Sequence, residues 1–238
     1  MRRFNSSRTG GPVKQTVGAI LPALNAARFL PEVIGQIKAL HPDLRVLVVD
    51  DGSTDGTAEV ARRHGAEVAA HEVNRGKGEA LKTGYRWALE SGVEWVFTMD
   101  SDGQHLPAEM AAFLATARKD ELDIVVGTRM AAVGEMPWLR LQTNRFTSSI
   151  VSWLAGQDIP DSQNGFRLYR TACLDGVRLK TSRYDSESEI LVRLARRGYR
   201  IGSTPITTVY GDEESSINPF VDTGRFFRLV FMLLLTRD

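Results

Sequence analysis

An α/β fold with a largely parallel sheet is predicted by three observations. Short β-branched runs alternate with stretches of helical spacing. The runs are apolar on both faces, as strands covered by helices on both sides must be. The polar residues with chemical potential follow the runs, at the strand ends where open parallel sheets bind ligands.

Taken in order, "TVGAIL", "RVLVVD", "EVAAHEV", "WVFTMD" and "DIVVGT" are expected as strands. Between them, "ARFLPEVIGQIKAL", "TDGTAEVARRH", "GKGEALKTGYRWALE" and "PAEMAAFLATARKD" carry helical spacing. After about Gly134 the alternation loosens: a helix around "WLRLQTNRFTSSIVSWLAG", a strand "GFRLYR", a helix "ESEILVRLARRG", a strand "YRIGSTPITTVYG" and a C-terminal helix. No linker, low-complexity segment or repeat interrupts this half, so it is expected to continue the same domain as an acceptor-side wall.

Bulk properties narrow the function. With 238 residues, 42% hydrophobic content and net charge +1, the chain suits one sizeable core and neither a disordered nor a nucleic-acid-coating protein. The single cysteine, Cys173, excludes an intramolecular disulfide and a cysteine-rich zinc site, is compatible with a reducing cytosol, and is read as core filler. Residues 1–15 are expected as a flexible tail. The apolar stretch after it is broken by Pro22 too early for a signal-peptide core. No run approaches the roughly 18 uninterrupted apolar residues of a membrane span.

Candidate chemistry sits at the strand ends. In "VFTMDSDGQH", Asp100 and Asp102 lie two apart in extended chain and point the same way, and the turn at Gly103 brings the Gln104 carbonyl within reach. Three hard oxygen donors suit Mg²⁺ or Mn²⁺; the same acids also serve as turn formers and helix caps. In "VLVVDDGSTDGT", Asp50 and Asp51 can accept from the N–H of a uracil or guanine ring or from ribose hydroxyls. Capping accounts well for Ser53, Thr54 and Asp55 and less well for the Asp pair, which a phosphorelay receiver domain would also carry. In "NRGKGEAL", Gly76 and Gly78 let backbone N–H groups approach an anion and Lys77 adds a point charge, or the segment is a plain loop into a helix. His105 is either a ligand or sugar-stacking residue, or a loop histidine. Trp138 and Trp153 are read as packing residues.

Together "LPALNAARFLPEVI", "VVDDGSTDGT", "NRGKGEAL", "DSDGQH", "GTR" and "DSQNGFRLYR" resemble the family 2 glycosyltransferases, in the branch of dolichyl-phosphate mannosyltransferases and bacterial polyprenyl-phosphate glycosyltransferases. The resemblance covers roughly Thr16 to Ile206. It implies a glycosyltransferase A-type fold and inverting transfer of a hexose from GDP-mannose or UDP-glucose with Mg²⁺ or Mn²⁺. Pro22 and Asn25 match the first nucleotide-side loop, although Ala26 stands where a glutamate is usual. Asp50, Asp51 and Lys77 match the nucleoside and diphosphate segment; Asp100, Ser101 and Asp102 the Asp-x-Asp motif; Asp100, Asp102 and Gln104 the metal group. Arg129 matches a basic residue expected to meet the acceptor phosphate, with Arg167 a second anion contact; Asp161 matches an acid preceding the family's "GFR" segment, and Glu187 or Glu189 falls in its acidic helix-entry motif.

A lipid monophosphate nucleophile is already anionic, so positioning and charge stabilisation suffice; a hydroxyl acceptor needs a carboxylate base, for which Asp161 is the leading choice and Glu187 or Glu189 the alternatives. Ser186 and Glu189 also fit a capping box. A polyprenyl phosphate is the leading acceptor and a soluble or glycan hydroxyl its rival. A non-catalytic scaffold and a nucleotidyltransferase are the readings from other classes. Residues 16–218 are assigned to the catalytic domain and 219–238 to an amphipathic helix with Phe220, Phe226, Phe227, Val230, Phe231, Leu234 and Leu235 beside Arg225 and Arg228. Three uses compete for it: a membrane interface, core closure or a homo-oligomer surface. The expected location is cytoplasmic, at the inner face of the membrane if the helix or a membrane partner protein anchors it.

Overall fold

The computed structural model describes residues 16–129, 138–207 and 219–236. The expected tail lies outside them. Seven strands form one sheet: β1 (Val17–Ala23), β2 (Arg45–Asp50), β3 (Glu67–Ala70), β4 (Trp95–Thr98), β5 (Ile124–Thr128), β6 (Arg167–Arg170) and β7 (Ile201–Pro205), in the order β3-β2-β1-β4-β6-β5-β7. Only β6 runs antiparallel, between β4 and β5. The helices are α1 (Leu30–Leu40), α2 (Thr57–Arg63), α3 (Lys77–Ser91), α4 (Met110–Lys119), α5 (Trp138–Ala155), α6 (Asp185–Arg196) and α7 (Pro219–Leu235).

Alternation along the strands divides the core in two. Ala19, Leu21, Val46, Val48, Phe97 and Val125 face α1, α2 and α4. Ile20, Leu47, Val49, Val96, Ile124 and Tyr169 face the layer of α3, α5, α6 and α7. Both faces of the strands are therefore covered, which is why they read as continuous apolar runs. Gly84 on α3 lets that helix approach Ile20 so closely that a Cβ there would overlap its side chain.

Two features of the topology position the site. The chain winds outward from β1 to β2 and β3, then returns to place β4 on the other side of β1, so the switch point, where open sheets of this kind place a ligand crevice, lies beyond the carboxyl ends of β1 and β4. Reversed β6 starts where β4 and β5 end, with Arg167 opposite Thr98 and Val126. The loop feeding β6 is thereby carried into the same crevice.

Helix α7 turns Phe226, Leu229 and Leu233 into the core and leaves Phe227, Phe231, Leu234 and Leu235 exposed. It closes the core and still presents an apolar outer face. No helix among the described residues is long and apolar enough to cross a membrane. Packing was expected for Trp138 and Trp153, but they are 71% and 69% exposed. Helix α5 instead buries Leu141, Asn144, Ser148, Val151 and Leu154, and 100° per residue places both tryptophans, with exposed Phe146, on the opposite arc. Cys173 is fully buried, and desolvation pushes its thiol up to about 12, in keeping with core filler.

Candidate active site

The first two strand ends form one unit. Asn25 takes a left-handed φ of 52°, which asparagine tolerates better than most residues, and its Oδ1 accepts from Thr54 N at 2.9 Å. Its own N–H donates to Ser53 Oγ at 2.9 Å. Buried Ala26 donates its N–H to Thr57 Oγ1. Asp50 Oδ1 accepts from Ser53 N at 2.9 Å. Ser101 Oγ donates to the Pro22 carbonyl at 3.0 Å, tying the end of β1 to the end of β4.

Asp51 is occupied differently from its neighbour. Oδ1 lies 2.6 Å from His71 Nδ1 and accepts from Arg75 N at 3.0 Å, and Oδ2 accepts from Gly76 N at 2.7 Å. The His71 Nε2 side meets Thr83 Oγ1 at 3.0 Å. Only 4% exposed, Asp51 therefore shapes the loop that opens α3. Asp50 is as buried, at 6% exposed, but its carboxylate accepts from Ser53 N where that of Asp51 meets His71, Arg75 and Gly76. His71 was not singled out from sequence; the available signal was its place one residue beyond β3, where the register Asp50–Ala70 sets it beside Asp51.

At the end of β4, Asp100 Oδ1 lies 2.6 Å from Lys77 Nζ and Oδ2 3.6 Å from His105 Nε2. Burial would raise the Asp100 pKa, but Lys77 and then His105 outweigh it and hold the carboxyl far below its usual range. Lys77 also contacts both Glu187 oxygens, at 3.1 and 3.0 Å, and sits 5.7 Å from the Tyr184 ring centroid. Its burial favours the neutral amine, yet Asp100 and Glu187 overcome this and raise its pKa. Asp102 accepts from Gln104 N at 3.0 Å, and its pKa is raised by burial and then by the charge of Asp100. His105 is buried, its ring 5.3 Å from that of Phe166.

Asp100 and Asp102 supply the hard carboxylate oxygens that a divalent cation takes. Asp100 disfavours ionisation of Asp102, a repulsion that a bound cation relieves. No group of three or more His, Cys, Asp or Glu side chains suited to a metal occurs among the described residues. An ion here would therefore need water and ligand oxygens to complete its shell, as Mg²⁺ and Mn²⁺ sites commonly do.

The loop before β6 joins the two halves of the site. Thr98 Oγ1 donates to the Gly165 carbonyl at 2.9 Å, and a Cβ on Gly165 would stand 2.7 Å from both Asp100 oxygens. At the loop's other end, Asp161 accepts from Arg129 Nε and Nη2 at 2.8 Å each, from Arg129 N at 3.1 Å and from Asn144 Nδ2 at 2.9 Å. Burial would raise its pKa, but Arg129 lowers it on balance. A fully buried carboxylate so engaged is a poor proton acceptor, against the expectation of a base. Asn144, whose sequence signal was only a polar residue on an apolar helix face, is the unforeseen partner.

Arg167 and Glu189 also depart from their expected parts. The Arg167 guanidinium is 1% exposed and donates to the carbonyls of Asn164, Ser162 and Glu187 and to Tyr169 Oη. It holds the loop together instead of facing an anion. Glu189, fully buried, accepts from Lys180 N, Thr181 N, Thr181 Oγ1 and Arg193 Nε, so it fixes the segment entering α6. In both cases burial removes the side chain from any ligand, which residue type and position in the sequence do not reveal.

Known proteins place this architecture. Among solved structures, the glucosyl-3-phosphoglycerate synthase of Mycobacterium tuberculosis, in complex with Mn²⁺, UDP and phosphoglyceric acid, superposes with a TM-score of 0.69 at 22% identity, covering 93% of this chain and 78% of that one. The fold is that of the glycosyltransferase A-type enzymes. The family model for Glycosyl transferase family 2 matches residues 19–177, and the chain belongs to that family. The undecaprenyl-phosphate mannosyltransferase of Micrococcus luteus is 33% identical over 206 residues, 80% of this chain and 82% of its own. The UDP-N-acetylglucosamine–dolichyl-phosphate N-acetylglucosaminyltransferase of Methanococcus voltae is 29% identical over 240 residues, 92% and 94% of the two chains. The protein is a family 2 glycosyltransferase whose relatives include polyprenyl-phosphate sugar transferases.

Proposed function

We propose that the protein is a metal-dependent inverting hexosyltransferase that moves a sugar from a nucleotide donor, GDP-mannose ahead of UDP-glucose, to a polyprenyl phosphate. The observation that carries this reading is the engagement of Asp161: the carboxylate best matched to a base is consumed by Arg129 and Asn144. An acceptor that needs no deprotonation suits such a site, and a lipid monophosphate is already anionic. The relatives named for undecaprenyl- and dolichyl-phosphate transfer agree with it.

In this reading Pro22, Asn25 and Asp50 border the nucleoside, and Asp51 shapes the loop that opens α3. Lys77 faces the diphosphate. Asp100 and Asp102, with Gln104, hold Mg²⁺ or Mn²⁺, which when bound neutralises charge on the leaving diphosphate. Arg129, aligned by Asp161, faces the acceptor phosphate as the nucleophile approaches the anomeric carbon. Arg167 and Glu189 keep the surrounding segments in place. The apolar outer face of α7, with Arg228 at its edge, supports peripheral contact with the membrane that contains the acceptor.

The test is transfer of labelled sugar from GDP-mannose and UDP-glucose, with and without Mn²⁺, to a short-chain polyprenyl phosphate and to the matching polyprenol. Cation-dependent labelling of the phosphate and not the alcohol is expected. Labelling of a hydroxyl acceptor alone would overturn the lipid-phosphate reading.

A further inference from the structure

The side chain of Lys77 joins two acids that approach from different parts of the chain. Its Nζ is 2.6 Å from Asp100, at the end of β4, and 3.0 Å from Glu187, in the first turn of α6. The arrangement is braced on every side. A Cβ on Gly76 would lie 2.5 Å from the Ser182 carbonyl, and one on Gly78 would overlap Ser186. The segment entering α6 is thus pressed onto the start of α3. Glu189 anchors that segment through Lys180 and Thr181, and the Glu187 carbonyl accepts from Arg167 at 2.6 Å. The brace fixes the backbone on either side of Lys77, so any movement of the ammonium is left to its side chain.

We propose that Lys77 is an internal stand-in for the divalent cation: in the nucleotide-free protein it neutralises Asp100 and opposes cation binding, and a diphosphate draws it away to open the site. The proposal rests on the reading that Asp100 and Asp102 take the cation. A lysine ammonium is a compact point charge on a flexible stem, suited to exchanging one anion for another at short range. Glu187 is a positioning residue: it keeps the ammonium beside the diphosphate path when the contact with Asp100 is broken. The consequence is binding order, with nucleotide preparing the cation site.

The test measures Mn²⁺ binding, by the electron paramagnetic resonance signal of unbound Mn²⁺, without nucleotide and with UDP or GDP. The proteins are the wild type, Lys77→Met, Asp102→Asn and the double variant Lys77→Met/Glu187→Gln, with folding checked by thermal unfolding. Wild type is expected to bind Mn²⁺ weakly alone and at least tenfold more tightly with one nucleotide. Lys77→Met is expected to tighten nucleotide-free Mn²⁺ binding about tenfold, some 1.4 kcal/mol, while weakening nucleotide binding. The double variant, which removes one charge of each sign, retains the tightening if the Lys77–Asp100 contact is its cause. Unchanged or weaker nucleotide-free Mn²⁺ binding in Lys77→Met, or loss of the gain in the double variant, overturns the stand-in role. Absence of Mn²⁺ binding by wild type and Lys77→Met with either nucleotide, or undiminished binding in Asp102→Asn, overturns instead the cation reading beneath it.

Discussion

Replacing Asp161 by Asn separates a structural role from a base role for this carboxylate. The side chain is fully buried and pairs with two guanidinium nitrogens of Arg129 at 2.8 Å, while Asn144 and the Arg129 N–H fill its remaining acceptor positions. Asparagine preserves the volume and one oxygen but turns an amide N–H₂ toward a cation or another donor. Breaking a buried pair by removing one partner costs about 3–5 kcal/mol, and the retained oxygen places this case near 3. At about 2–4 °C per kcal/mol for a chain of this size, the unfolding midpoint falls by about 6–12 °C.

The pH dependence has a definite sign. Burial opposes ionisation of Asp161, Arg129 more than compensates, and the folded pKa lies below the unfolded one. Its contribution is complete above the unfolded value near 4 and is lost as pH falls through the lower folded value. The gap between wild type and Asp161→Asn should therefore be level from about pH 5 to 8 and close under stronger acid. Calorimetric unfolding across that range, with single-turnover transfer measured well below the variant's midpoint, decides the matter. An unchanged midpoint with transfer abolished and nucleotide binding intact would refute this reasoning and restore Asp161 as a base.

Three further outcomes are expected. Asp102→Asn removes the repulsion from Asp100, so the ligand-free midpoint should hold or rise slightly while stabilisation by Mn²⁺ with nucleotide disappears; thermal shift reads both. Gly165→Ala brings a methyl group against both Asp100 oxygens, and calorimetry should record at least a tenfold loss of cation-dependent nucleotide binding, larger than any loss of stability. Phe227→Glu with Phe231→Glu alters side chains 52% and 65% exposed, so stability should change by under about 1 kcal/mol while sedimentation with anionic vesicles is lost.

The sequence by itself determined the α/β alternation, because apolar runs and helical spacing are local consequences of which faces are covered. It also located the acids and the lysine at strand ends, since a parallel sheet puts its ligand edge there whatever the details. It left open that β6 is reversed between β4 and β5, a pairing of distant segments that carries the loop at Asp161 into the crevice. Tertiary structure alone distinguished Asp50 from Asp51, and set Arg167 and Glu189 inside the protein. It also turned Trp138 and Trp153 outward, against a reading from residue type. An acid or arginine looks the same in sequence whether it meets a ligand or a backbone carbonyl. Burial and the partners brought from elsewhere in the chain decide which, through the cost of leaving a charge unpaired away from water.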